Sequence, residues 1–163
     1  MIRGIALALL AGTLTGCGAS SRYSAAIARD VDAPTQAIAL AVARLQLTVV
    51  HGSVPADSVP VWTNILESTA KVTAKGAADF AALTPPDQSM AADHYRLSQT
   101  IAHQSAAVAT AAAVAEQCLS SPNDGCEDLT SVRYYKVLEP LTEQQDYVRW
   151  SRQRIMRDLG RMP

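Results

Sequence analysis

The chain has 163 residues, room for one ordinary domain and too few for a multidomain enzyme. Hydrophobic residues make up 48% and charged residues 18%, which excludes a disordered chain, and a net charge of -1 gives no basic field to hold nucleic acid. Only 5% is aromatic, and all 29 alanines precede Glu116, so the last part of the chain must pack with larger side chains than the rest.

Residues 1–17 read MIRGIALALLAGTLTGC. A positive start at Arg3 precedes an apolar run from Ile5 to Leu14, far short of the roughly 20 apolar residues of a spanning helix. Charge, short apolar core and small residues, in that order, make a secretory signal. The run ends in Leu14-Thr15-Gly16-Cys17, a branched residue and two small ones before cysteine, and this resembles the lipobox of bacterial lipoproteins. The resemblance implies that residues 1–16 are a cleaved signal peptide. It also implies that Cys17 carries a diacylglycerol, starts the mature chain and holds it on the extracytoplasmic side of the cell membrane. Two acyl chains suffice for that, at about 0.8 kcal/mol per buried CH₂, where one binds only marginally.

Cys118 and Cys126 remain, with the turn-forming run LSSPNDG between them. Their spacing is not that of a redox or haem motif, and two thiols without nearby histidines make a poor zinc site. In an exported chain they are expected to form a disulfide worth about 2–3 kcal/mol.

Residues 17–32 begin with small polar side chains and are expected to form a lipidated tether that turns helical near Ser24. The bundle domain is expected over 33–163, as four helical segments. The first runs from Ala33 to Val50, with Asp32 as N-cap, Pro34 in the first turn, a stripe of Ile38, Val42, Leu45 and Val49, and a stop at His51-Gly52. The second runs from Ser58 or Val59 to Leu83. Val61, Ile65, Val72, Gly76 and Leu83 form its stripe and Trp62, Leu66 and Phe80 flank it. Gly76 costs about 1 kcal/mol against alanine in a helix, so a neighbouring helix is expected to approach it closely.

Thr84-Pro85-Pro86-Asp87 reads as the third helix start, with Thr84 as cap, and the helix runs to Leu119. Leu97, Ile101, Val108, Ala115 and Leu119 form its inner stripe. The pattern Leu83-Thr84-Pro85-Pro86 followed by His94 and Leu97 is similar to small, uncharacterised helical lipoproteins of actinobacteria, a resemblance that implies no activity. The fourth segment runs from Glu127 to Leu159, kinked at Pro140 or broken at Glu139, with Tyr134, Leu141, Val148, Ile155 and Met162 at heptad spacing. The fold class is therefore all-α, an up-and-down four-helix bundle with its last helix kinked or broken near Pro140.

Chemistry is sparse. His94 and His103 lie nine residues apart, on opposite sides of one helix, and His51 sits in a loop. Without a His-x-x-x-His or Glu-x-x-His pair the sequence gives no metal site. It shows no nucleophile elbow, phosphate loop or dinucleotide fingerprint either, so neither an enzyme nor a cofactor is expected. His94 shares its stripe with Leu97 and Ile101. It reads either as a ligand or pH-sensitive group or, preferred, as a partly buried histidine bonded to a neighbouring helix.

Arg149, Arg152, Arg154, Arg157 and Arg161 crowd thirteen residues. The preferred account is an Arg154–Asp158 pair and favourable interaction with a helix C-terminus, the other being contact with anionic headgroups or an acidic partner. Tyr147 and Trp150 are expected in the core. The sequence thus points to a membrane-anchored, non-catalytic module of the cell envelope that binds an envelope protein or component. The alternative is a carrier holding a small apolar or lipidic ligand inside the bundle.

Overall fold

The computed structural model describes residues 14–122, 126–131 and 133–160, and of residues 14–17 and 128 the backbone alone. Most of the segment expected to be a signal peptide, together with Arg161 and Met162, lies outside the described residues. The described chain is an all-α four-helix bundle. Helix α1 (Leu14–Ile27) passes through a π-helical turn (Ala28–Asp32) into α2 (Ala33–Gln46), so these form one long bent rod. Helix α3 (Val59–Ala81) returns, α4 (Ala91–Ser120) descends, and the last rod consists of α5 (Glu127–Thr130), α6 (Tyr135–Glu143) and α7 (Gln145–Leu159).

From Tyr23 onward the expected tether over 17–32 is instead part of the bundle. Tyr23, Ala26, Ile27 and Val31 are buried, and an apolar side chain fully removed from water contributes roughly 1.5–3 kcal/mol. Those side chains recur at helical spacing, three to four residues apart, behind a polar start that hides the pattern. Pro34 therefore lies in the middle of the rod, not at its beginning. It has no N–H for the carbonyl of Asp30, four residues back, and its ring would press on that carbonyl. The chain answers with the π-turn, in which Ala33 N–H bonds to the Ala28 carbonyl. Asp30 faces the place on α3 where Gly76 has no side chain.

The first rod stops at Gln46, four residues earlier than expected. His51 and Gly52 both take positive φ, 51° and 77°, and close a tight turn in which Val50 and Ser53 exchange backbone hydrogen bonds of 2.9 and 3.1 Å. On α3 the buried stripe is Val59, Trp62, Thr63, Leu66, Thr69, Thr73, Gly76 and Phe80. Val61 and Val72, expected inside, are about half exposed. The helix is rotated by about one residue because three threonines can face inward. Thr63 and Thr69 donate their hydroxyls to the carbonyls four residues back and Thr73 to the one three residues back, so no polar group is stranded.

Asp87, not Thr84, starts the third rod. Its carboxylate accepts from Ser89 N–H at 2.7 Å ahead of a short 3₁₀ turn, and hydrogen bonding from the Ser89 side chain first, then from its backbone, holds the carboxyl below the ordinary range. Leu97, Ile101, Val108 and Ala115 are buried as expected, whereas Leu119 is half exposed and Cys118 takes the inner place. Cys118 pairs with Cys126, closing the turn between α4 and α5. The last rod forms its long helices only from Tyr135. Pro140 sits inside α6, which ends one turn later at Glu143, and the chain breaks at Gln144. Leu141, Val148 and Ile155 keep the heptad seam.

The core has two buried clusters. The lower one centres on Trp62, Leu66, Val108 and Leu141, beside the disulfide. The upper one gathers Tyr23, Ile27, Phe80, Leu97 and Ile155, at the end where the chain enters.

Candidate functional site

Three features carry chemistry: the start of α1, the histidine in the upper cluster, and the surface of α7. Cys17 lies in the first turn of α1, six residues before Tyr23, the first buried side chain of the described chain. At 1.5 Å per residue that places its backbone roughly 9 Å along the helix from Tyr23.

Helix α4 points His94 into the upper cluster. The phenolic oxygen of Tyr23 on α1 lies 2.6 Å from His94 Nδ1. The Phe80 ring of α3 lies 4.7 Å from the imidazole, tilted by 34°, so one side chain touches two other rods. Burial pushes the imidazole below its ordinary value and the Tyr23 phenol up to about 12. Both are then neutral at pH 7, so the phenol donates, Nδ1 accepts and the ring proton sits on Nε2. His51 and His103 are not brought near His94: His51 lies in the lower turn and His103 is on the exposed side of α4. Among the described residues no group of three or more His, Cys, Asp or Glu converges.

Helix α7 distributes its arginines over different neighbours. Arg152 grips Asp32 of the first rod through Nε at 2.5 Å and Nη2 at 2.7 Å, and that bond raises the guanidinium's already high pKa. Arg154 does not pair with Asp158. It reaches across to Asp93 of α4 at 3.2 Å and lies 5.0 Å over the ring of Trp150. The interhelical partner prevails because Asp93 is largely buried and gains more from a counter-charge than the partly exposed Asp158 would. Tyr147 and Trp150, expected in the core, are 63% and 52% exposed, because Val148, Ser151 and Ile155 take the inner positions.

Between the first rod and α7 runs a cleft of about 430 Å³. Asp32 and Gln36 line one side, and Gln145, Arg149 and Arg152 the other. Sequence reasoning missed it because Gln145 and Gln36 carry no motif. The one available signal was Gln145, Arg149 and Arg152 at i, i+4 and i+7, a polar stripe on one helix face. Comparisons with known proteins return no matching family, no matching curated protein and no matching solved structure, so the chemistry of these features rests on their own geometry.

Proposed function

We propose that the mature chain is an exported lipoprotein, anchored by a diacylated Cys17 on the extracytoplasmic side of the cell membrane, whose helical bundle is a non-catalytic binding module of the envelope. The observation that carries this reading is Leu14-Thr15-Gly16-Cys17 directly after an apolar run too short to span a bilayer. Two structural facts support it. The Cys118–Cys126 disulfide suits an oxidising compartment. No helix of the described residues is long and apolar enough to cross a membrane, so attachment would fall to the lipid.

With Cys17 only six residues ahead of Tyr23, the bundle would sit against the headgroups rather than on a long leash. A binding role fits better than a catalytic one because the titratable groups brought together neutralise one another, as in Arg152–Asp32 and Arg154–Asp93. Large side chains such as Trp62, Leu66 and Phe80 fill the interior, which favours a surface ligand over a cargo inside the bundle.

Metabolic labelling with a clickable fatty acid tests the anchor. The wild-type chain takes the label and Cys17→Ala does not. Equal labelling of both would end this reading.

A further inference from the structure

The cleft between α2 and α7 has donors to spare. On the α7 wall, Gln145, Arg149 and Arg152 face the first rod at i, i+4 and i+7, and all three side chains present N–H groups. Of the two arginines only Arg152 forms an ion pair, through the bidentate bond to Asp32. Arg149, one turn away, is exposed and has no carboxylate partner among the described residues. The Nε2 amide of Gln145 is shielded from water and makes no hydrogen bond. A shielded donor without a partner is unfavourable, and a turn of the side chain that brings the amide to an acceptor oxygen in the cleft would relieve it. Asp146 also lines the cleft, and the positive end of the α7 dipole keeps it ionised, so its carboxylate offsets the charge of Arg149 and an incoming anion must approach on the Arg149 side. Gln36 on the opposite wall adds an amide that can donate or accept.

The lining as a whole is uncharged, and what it offers an acceptor oxygen is the Arg149 guanidinium and the unmatched Gln145 amide, in a volume within the range of small-molecule sites. We propose that this cleft binds a small organic ligand through a singly charged oxyanion, a carboxylate or a phosphodiester, held by Arg149 in a charge-assisted pair and by Gln145 Nε2 through a hydrogen bond. The Arg152–Asp32 pair sets the end of the site: Asp32 fixes the guanidinium, so an incoming anion meets a rigid wall of donors instead of a mobile side chain. The proposal rests on the reading of the bundle as a binding module and gives that module a ligand class.

The test uses the full-length chain in maltoside micelles, with glutamine and arginine labelled for NMR. Sodium acetate and dimethyl phosphate are titrated separately at constant ionic strength. The side-chain amide of Gln145 and the Nε–H of Arg149 are expected to shift together and saturate with at least one probe. Saturation with acetate identifies a carboxylate ligand, and saturation with dimethyl phosphate identifies a diester such as a lipid headgroup carries. Arg149→Gln, an exposed change that leaves the fold intact, weakens binding about tenfold or more. Gln145→Glu abolishes it by placing a carboxylate against the anion. Shifts that grow without saturating for both probes, or saturation that survives Arg149→Gln, would overturn the proposal. Binding is read in micelles and the anchor by fatty-acid labelling, so either can fail while the other stands.

Discussion

Gly76 on α3 sits against Pro34 on the first rod so closely that a Cβ added to it would lie 2.5 Å from Pro34 Cγ and 2.6 Å from the Asp30 carbonyl oxygen. That carbonyl is the one to which Pro34 has no N–H to give, so the π-turn and the glycine form one joint between two rods. Two effects then oppose each other in Gly76→Ala. Helix propensity favours alanine by about 1 kcal/mol. Overpacking against a stiff proline ring and a backbone oxygen costs roughly 1–3 kcal/mol, and there is no flexible side chain to yield. The variant is therefore expected to lose stability in urea unfolding, by about 1–2 kcal/mol. A gain in stability would show that the rods separate easily.

The Cys118–Cys126 bond ties the end of α4 to α5 beneath the lower core cluster, where Cys118 is itself 1% exposed. Replacing both cysteines by alanine is expected to cost about 2–3 kcal/mol, the chain-entropy value for so short a loop. Alkylation of the non-reduced protein followed by intact-mass measurement should find neither residue modified. Modification at both would refute the pairing.

Trp62 is fully buried, and its indole N–H donates at 2.7 Å to Thr48 Oγ1, which in turn donates to the Leu45 carbonyl at 2.7 Å. Thr48 lies just past the end of the first rod, so this relay fastens the loop to α3. Thr48→Val keeps the shape and removes the hydroxyl, leaving a buried donor unmatched at a cost of about 1–3 kcal/mol. Thr48→Ser should retain most of the stability. A larger loss in Thr48→Ser than in Thr48→Val, by chemical denaturation, would mean that the methyl contact and not the hydrogen bond holds the loop.

The fold was legible wherever apolar spacing was unambiguous. Ile38, Val42 and Leu45, or Leu141, Val148 and Ile155, announce their faces because little else competes for the inward positions. Helix α3 was misread because β-branched side chains lie all around it. Valine at 61 and 72 looks more apolar than threonine at 69 and 73, and only the returned hydroxyl bonds make threonine cheap to bury. The segment before Pro34 was misread because proline at position two of a helix looks like a start. A π-turn leaves no mark of its own in sequence. Of the candidate site, His94 was visible from its place beside Leu97 and Ile101, but Tyr23 was not, since 71 residues separate them. The ion pairs of α7 were invisible for the same reason: sequence offers the near partner Asp158, and the tertiary fold supplies Asp93.

Tyr23 and His94 give the last prediction, because their hydrogen bond joins the rod that bears Cys17 to the interior of the bundle. Tyr23→Phe keeps the ring and removes the donor, leaving buried Nδ1 unmatched, so about 1–3 kcal/mol should be lost. The pH dependence has a definite sign. Burial depresses the imidazole pKa in the folded state, while the unfolded value stays near about 6.5. Above the unfolded value neither state holds the proton, and the stability of the neutral contact is fully present. As pH falls below it, the unfolded chain takes up a proton that the folded chain still refuses, so stability declines until the folded pKa is reached. The phenol, with its pKa pushed up to about 12, does not titrate in this range. His94→Gln is expected to keep the fold, because an amide oxygen can accept from Tyr23, and to remove this component of the pH profile. Urea unfolding of both proteins between about pH 7.5 and pH 5 measures it. Parallel profiles for wild type and His94→Gln would show that the buried imidazole does not couple the first rod to acid.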